Sequence, residues 1–267
     1  MEYMKFIPEG WIKNKPEYEI SYLKNAYVNG EIIQGFVENC DENFNLHVRL
    51  NESLVGIIPR NEVDFVESDE MGFVRTSICK NKINTFVQFK IKEIYNDTSL
   101  ILSRKNANKE AIEWMNDNLK EGQIIQGIVK NIRQYGVFIE IGAGVVGLLH
   151  IEDISISRIK SPEERFSIGQ KVNVMIKSID RNTNKIVLTY KELFGTWEDN
   201  IKEFSEGMMT TGIIKEHDKY KNGIFIELKP NLVGMAEYKD GYQYGQAVDV
   251  YIKKIINEKK KIKLVII

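Results

Sequence analysis

One short pattern occurs three times in this chain of 267 residues, and no other feature limits its fold as tightly. The middle copy runs Gly127-Ile-Val, then Gly136-Val-Phe-Ile-Glu-Ile, then Val146-Gly-Leu-Leu-His150. The third copy repeats it as Gly212-Ile-Ile, Gly223-Ile-Phe-Ile-Glu-Leu and Val233-Gly-Met-Ala-Glu237. The first is looser, with Gly35-Phe-Val, Asn45-Leu-His-Val-Arg-Leu and Val55-Gly-Ile-Ile-Pro59. The back halves align as well, Val172-Asn-Val-Met-Ile matching Val248-Asp-Val-Tyr-Ile and Val87-Gln-Phe-Lys-Ile.

Inside each copy the apolar residues alternate. Val137, Ile139 and Ile141 are interleaved with Phe138 and Glu140, and Ile224, Ile226 and Leu228 with Phe225 and Glu227. In the first copy Leu46, Val48 and Leu50 are interleaved with His47 and Arg49. Period two marks a strand with one buried and one exposed face, so Phe138, Glu140, Phe225 and Glu227 are expected to point outward. Turn residues such as Asp180-Arg-Asn-Thr-Asn-Lys punctuate the strands. Five short strands closing within about 70 residues predict a small Greek-key barrel of the OB type. The chain is therefore predicted to be all-β, with three tandem five-stranded barrels joined by short helical connectors.

The boundaries follow from the copies. Residues 1–26 form an arm containing a short helix near 17–27. Barrel one spans 27–105, a connector helix 106–118, barrel two 119–191, a second connector 192–205, and barrel three 206–267. On the first connector Ala111, Trp114 and Met115 share a helical face. In the second, Thr196 is placed to cap a helix with acids in its first turn. Trp114 and Trp197 are read as locks between connector and barrel. Barrel one alone carries an acidic excursion at 62–72.

Charge is distributed unevenly along the chain. The net charge is −1, yet residues 1–118 hold 14 Lys and Arg against 19 Asp and Glu, whereas 119–191 hold 11 against 7 and 206–267 hold 11 against 8. Affinity for nucleic acid needs local positive charge facing phosphates, so barrels two and three are the expected binders. Cys40 and Cys79 lack a CxxC spacing, and His47, His150 and His217 lie one per copy. No metal or other cofactor is expected from such a set. No phosphate-cradling Gly loop or nucleophile–base pair is legible, which argues against an enzyme. The start lacks a secretory apolar core and no run is long enough to span a bilayer, so a cytoplasmic protein without a membrane partner is expected.

The outward positions of barrel two hold the functional signal. Tyr135 and Phe138 place two rings near Gly136, His150 ends the next strand, and Asp180, Arg181 and Lys185 sit at a later turn. With Lys130 they suggest a stacking surface with a basic rim. On these residues barrel two resembles the S-one domain, an RNA-binding OB barrel. The resemblance runs through Gly127-Ile-Val-Lys130, Tyr135-Gly-Val-Phe-Ile-Glu-Ile, Val146-Gly-Leu-Leu-His150, Gly169-Gln-Lys-Val and Asp180-Arg-Asn-Thr-Asn-Lys-Ile-Val-Leu. The array of copies is similar to the multi-repeat ribosomal members of that family. The resemblance implies RNA contacts from Tyr135, Phe138, His150, Asp180 and Lys185. Tyr stands where Phe is frequent, and Lys where Arg is frequent.

The flanking copies match less well. Barrel three keeps Phe225 and Lys261, with Tyr220 a substitute for the first ring, but has Glu237 for the His and Ile256 for the Asp. Barrel one has Phe44 and His47 but Pro59 and Tyr95 at those two positions. The resemblance thus implies capture of single-stranded RNA or mRNA in translation, with the N-terminal third docking to the 30S ribosomal subunit. Two alternatives stay open: an RNA-binding regulator away from the ribosome, and a nuclease-accessory or protein-docking subunit favoured by the acidic excursion.

Overall fold

The alternating segments become strands that close on themselves three times. A computed structural model of the chain describes residues 5–14, 16–65, 74–95, 99–218 and 223–267. Barrel one comprises β1 (Ile33–Cys40), β2 (Leu46–Arg49), β3 (Val55–Ile58), β4 (Phe86–Tyr95) and β5 (Ser99–Ser103). Barrel two comprises β6 (Ile124–Arg133), β7 (Gly136–Gly142), β8 (Val145–His150), β9 (Lys171–Asp180) and β10 (Lys185–Thr189). Barrel three comprises β11 (Met209–Asp218), β12 (Gly223–Lys229), β13 (Leu232–Glu237), β14 (Ala247–Ile256) and β15 (Lys261–Ile266). Each closes in the strand order one, two, three, five, four. The third and fifth strands pair in parallel.

The repeated residues explain the repeated closure. Val137, Ile139 and Ile141 are fully buried in barrel two, as are Ile224 and Ile226 in barrel three and Leu46, Val48 and Leu50 in barrel one. A Cβ on Gly127 would lie 2.3 Å from the Ile139 side chain, and one on Gly35 or Gly212 would be equally crowded by Val48 or Ile226. Glycine at this position lets the first strand cross the second closely. Two positions later the register slips, between Val37 and Asn39, Val129 and Asn131, and Ile214 and Glu216. The extra residue, Glu38, Lys130 or Lys215, forms a bulge that sharpens the bend a barrel of this size requires.

The connectors follow local chemistry. In the arm, α1 runs Ile20–Asn29 and ends where Gly30 takes a left-handed conformation, so it starts three residues and finishes two residues later than expected. Helix α2 (Thr76–Lys80) lies in barrel one. Helix α3 (Arg104–Asn118) begins directly after β5, its N-cap Ser103 accepting the Asn106 amide. Ala111 and Met115 are buried against barrel two, and Trp114 packs edge-on against Phe6 at 5.6 Å. Helix α4 (Trp197–Ile201) starts on a capping box between Thr196 and Asp199.

The arm is a structural wedge. Phe6 is buried in the core of barrel two, and the Ala143 amide donates to the Ile7 carbonyl. Glu9 lies between barrels one and two. Its carboxylate receives Arg104 Nε at 2.7 Å and Nη2 at 3.1 Å, and the Gln88 amide at 2.9 Å. Its own amide donates to Glu140 at 2.6 Å. The outward position of Glu140 is therefore covered by the arm, and the carboxyl group is 1% exposed. That corrects the expectation of a solvated side chain. Glu227, at the same position in barrel three, is also buried. There Arg165, from the segment after β8, meets both carboxylate oxygens at 2.6 and 2.7 Å. Glu164 of that segment accepts Tyr244 at 2.6 Å and Lys215 at 3.3 Å. The three barrels are docked through these two polar junctions.

Candidate nucleic-acid interface

Strand pairing places one row of side chains across the outward face of each barrel. In barrel two the register links Asn131, Phe138, Leu148, Val187 and Ser178 across β6, β7, β8, β10 and β9. All five are partly exposed. Tyr135 lies beside this row at the turn before β7 and is 50% exposed. Its ring centroid is 6.0 Å from that of Phe138, with the planes at 86°. Two rings at this angle offer one face and one edge to a planar base.

His150 stands opposite Gly136 on β8, and the Ile151 amide donates to the Tyr135 carbonyl at 2.9 Å, so His150 and Tyr135 are held side by side. The imidazole is about two-fifths exposed, with Nδ1 accepting the Glu152 amide at 3.4 Å. Asp180 caps the β9–β10 turn, accepting the Asn182 amide at 3.0 Å and the Thr183 hydroxyl at 2.6 Å. The Thr183 hydroxyl and these turn amides hold its carboxyl below the usual range. Lys185 is exposed and pairs across the turn with Asp180.

Two residues from the sequence set are engaged elsewhere. Lys130 is the bulge residue; its ammonium donates to the Glu9 carbonyl at 3.1 Å and lies 3.7 Å from Glu140. Arg181 donates from Nε to the Asn116 carbonyl at 2.8 Å and clasps the end of α3. Lys130 therefore serves the first junction, and Arg181 ties barrel two to its connector.

Barrel three presents a related row: Glu216, Phe225, Met235, Lys263 and Lys254. Phe225 is half-buried, and Lys261 is exposed at the start of β15. Met235, Lys263 and Lys254 escape sequence reasoning because only the strand register places them beside Phe225. Tyr220, with Lys219 and Lys221, lies outside the described residues. Lys215 faces the second junction, with its ammonium 3.3 Å from Glu164 and its side chain 8% exposed.

In barrel one the same row reads Asn39, His47, Ile57, Ile101 and Glu93. It has no phenyl or phenol ring and ends on an acid. Phe44 lies beneath Arg60 and Lys80, at 5.2 and 5.6 Å from their charges. His47 approaches Asp41 at 3.3 Å. Of the acidic excursion, residues 66–73 lie outside the described residues. Glu62 is taken by Ser103 at 2.5 Å and Lys92 at 2.7 Å, and Asp64 by Arg104 at 2.8 Å. These two carboxylates serve the fold and are not displayed for a partner.

Residues 118–191 match the family model described as the S1 RNA binding domain. Barrel two is thus a barrel of that family, and its paired rings lie within the matched region. Over 93% of its length the chain is 31% identical to the small ribosomal subunit protein bS1 of Staphylococcus aureus strain COL. Over 85% it is 30% identical to bS1 of Staphylococcus saprophyticus, and over 96% it is 27% identical to bS1 of Pseudomonas aeruginosa. The chain spans 64%, 62% and 45% of those proteins respectively.

Proposed function

We propose that the chain binds single-stranded RNA, mRNA among it, as a cytoplasmic translation factor resembling ribosomal protein bS1, and that it performs no catalysis. The exposed Tyr135–Phe138 pair on an S1-type barrel carries this reading. Bases stack on the two rings while His150 and Lys185 hold the adjoining sugar-phosphate. Duplex RNA would keep its bases out of reach, so unpaired segments are the target. Barrel three extends the track through Phe225, Lys261 and Lys263. Barrel one, acidic and without a phenyl or phenol ring in its row, contributes a contact to the 30S subunit instead.

The test is a titration of the full chain with a labelled short oligouridylate at low and moderate salt. Affinity should fall steeply as salt rises, since phosphate contacts release counterions. Tyr135→Ala with Phe138→Ala should weaken binding by about 1–3 kcal/mol for each stacked base lost and leave the circular dichroism spectrum unchanged. Equal affinity in wild type and double variant would reject the site. Co-sedimentation with 30S particles, lost on deleting barrel one, tests the ribosomal contact.

A further inference from the structure

Between barrels two and three lies a groove of about 520 Å³ that neither barrel forms alone. From barrel three come Phe225, Met235, Lys261 and Lys263; from the segment after β8 of barrel two come Ile156 and Arg158. Ile156 is 58% exposed and Met235 40% exposed, an unusual amount of bare apolar surface beside so many cations. Lys215 and Lys260 also border the groove, and Glu216 is its one acid. Arg158 meets Glu216 through one Nη1 contact at 3.0 Å, while its side chain is largely in solvent. A guanidinium has five N–H donors, so most of those on Arg158 remain available.

We propose that this groove is a composite nucleotide site, in which the barrel-two segment supplies Ile156 and Arg158 to the binding face of barrel three. The inference rests on the single-stranded RNA reading above and deepens it. An unpaired base lies between Ile156, Met235 and the Phe225 ring. Its flanking phosphates meet Arg158, Lys261 and Lys263. The volume falls in the range of roughly 300–1,000 Å³ that encloses small ligands; Lys215 is paired with Glu164 and Lys260 with Glu198, which leaves Arg158, Lys261 and Lys263 against Glu216 to select an anionic strand. The composite arrangement supplies what barrel three lacks in its own sequence, where Glu237 and Ile256 replace the polar partners of barrel two. It also explains why the segment after β8 is anchored so firmly. Arg165 on Glu227 and Glu164 under Tyr244 and Lys215 fix it, so Ile156 and Arg158 are presented in register with the row of barrel three.

The experiment uses the full chain and a labelled oligouridylate long enough to span barrels two and three. Ile156→Asp with Arg158→Ala should weaken binding about tenfold, the equivalent of one stacked base and its phosphate, with thermal unfolding unchanged because both side chains are exposed. Glu216→Gln frees Arg158 without removing it and should hold or raise affinity. A photoreactive thiouridine oligomer should crosslink to the peptide containing Phe225 or Met235 in wild type, and lose that adduct in the double variant. Unaltered affinity and crosslinking in Ile156→Asp/Arg158→Ala, while Tyr135→Ala/Phe138→Ala still weakens binding, would overturn the composite site and leave the function standing. So would equal weakening by Glu216→Gln, because the segment would then act only by docking the barrels. Displacement of RNA by polyglutamate at comparable concentration would identify an acidic protein as the occupant and overturn it too. A wild-type chain that binds no RNA at low salt removes both readings.

Discussion

Replacing Arg104 by methionine should undo the first junction. The guanidinium is 2% exposed and makes four contacts: two to Glu9, one to the Asp64 carboxylate at 2.8 Å and one to the Val63 carbonyl at 3.1 Å. Burial alone would push the Glu9 carboxyl up, yet Arg104, Lys82 and the Gln88 amide together hold it down at about 2. Methionine fills much of the arginine stem but leaves that carboxylate buried against Glu140, with Lys82 at 3.9 Å its remaining cation. Removing one member of a buried ion pair costs about 3–5 kcal/mol, mostly through the charge left behind. The double variant Glu9→Gln/Arg104→Met should therefore lose less than Arg104→Met alone, since glutamine still accepts the Gln88 amide and carries no charge. Urea titration followed by tryptophan fluorescence measures this in a Trp197→Phe background. The remaining indoles, Trp11 and Trp114, both lie where the arm meets barrel two: the Lys171 ammonium sits 4.5 Å from the Trp11 ring centroid, and Trp114 meets Phe6. A loss below about 1 kcal/mol for Arg104→Met, or no recovery in the double variant, would refute the buried-charge argument.

Other expected outcomes concern the same architecture. Burial, then the charge of Glu9, push Glu140 up to about 7, against the pull of Lys130 and the Gly144 amide. Its folded value exceeds the ordinary 4.5, so its favourable contribution is complete below about pH 4.5 and disappears as pH rises through about 7. Glu140→Gln should flatten that decline in urea midpoint; an unchanged pH profile would count against it. Gly127→Ala sets a Cβ 2.3 Å from Ile139 and 3.1 Å from the Glu140 carbonyl, and should destabilise barrel two by about 1–3 kcal/mol in thermal unfolding. Glu227→Ala strands Arg165 and Ser157, and should make the segment 154–166 newly sensitive to limited proteolysis.

The barrels were legible because period two and the glycines are local signals. Val137, Ile139 and Ile141 announce their own burial, and Thr196 followed by Asp199 announces a helix start. What escaped is what one module does to another. Period two puts Glu140 and Glu227 on the outside of their barrels, correctly, but cannot say that an arm or a loop covers that outside. Phe6 carries no periodicity at all, so its insertion into barrel two is invisible in the chain. Lys130 reads as a cation beside an aromatic site; the bulge that redirects it toward Glu140 is a property of the strand pairing. The Phe138 and Phe225 positions were readable, whereas Met235, Lys263 and Ile156 join them only through register and docking.

The bulge residue and the outward residue two places past the row on the second strand carry opposite charges, and their use differs between barrels. In barrel one the signs are Glu38 and Arg49, and the two are ion-paired with each other, both partly exposed. In barrel two they are Lys130 and Glu140, and in barrel three Lys215 and Glu227. Reversing the signs leaves an acid at the corner, and in both later barrels that acid receives the preceding segment. Glu140 accepts the Glu9 amide, with Arg104 beyond it, and Glu227 accepts Arg165 directly. One corner of the fold thus acts as a socket with a fixed direction along the chain. Barrels joined this way present their outward rows at a set spacing. A strand held by the first row meets the second at high effective concentration without the ordering cost of a free linker. On that argument, cutting the second socket at Glu227, between the two RNA-binding barrels, should reduce RNA affinity for long oligomers and spare that for oligomers short enough to occupy one barrel, whereas cutting the first at Glu140 should leave both unchanged.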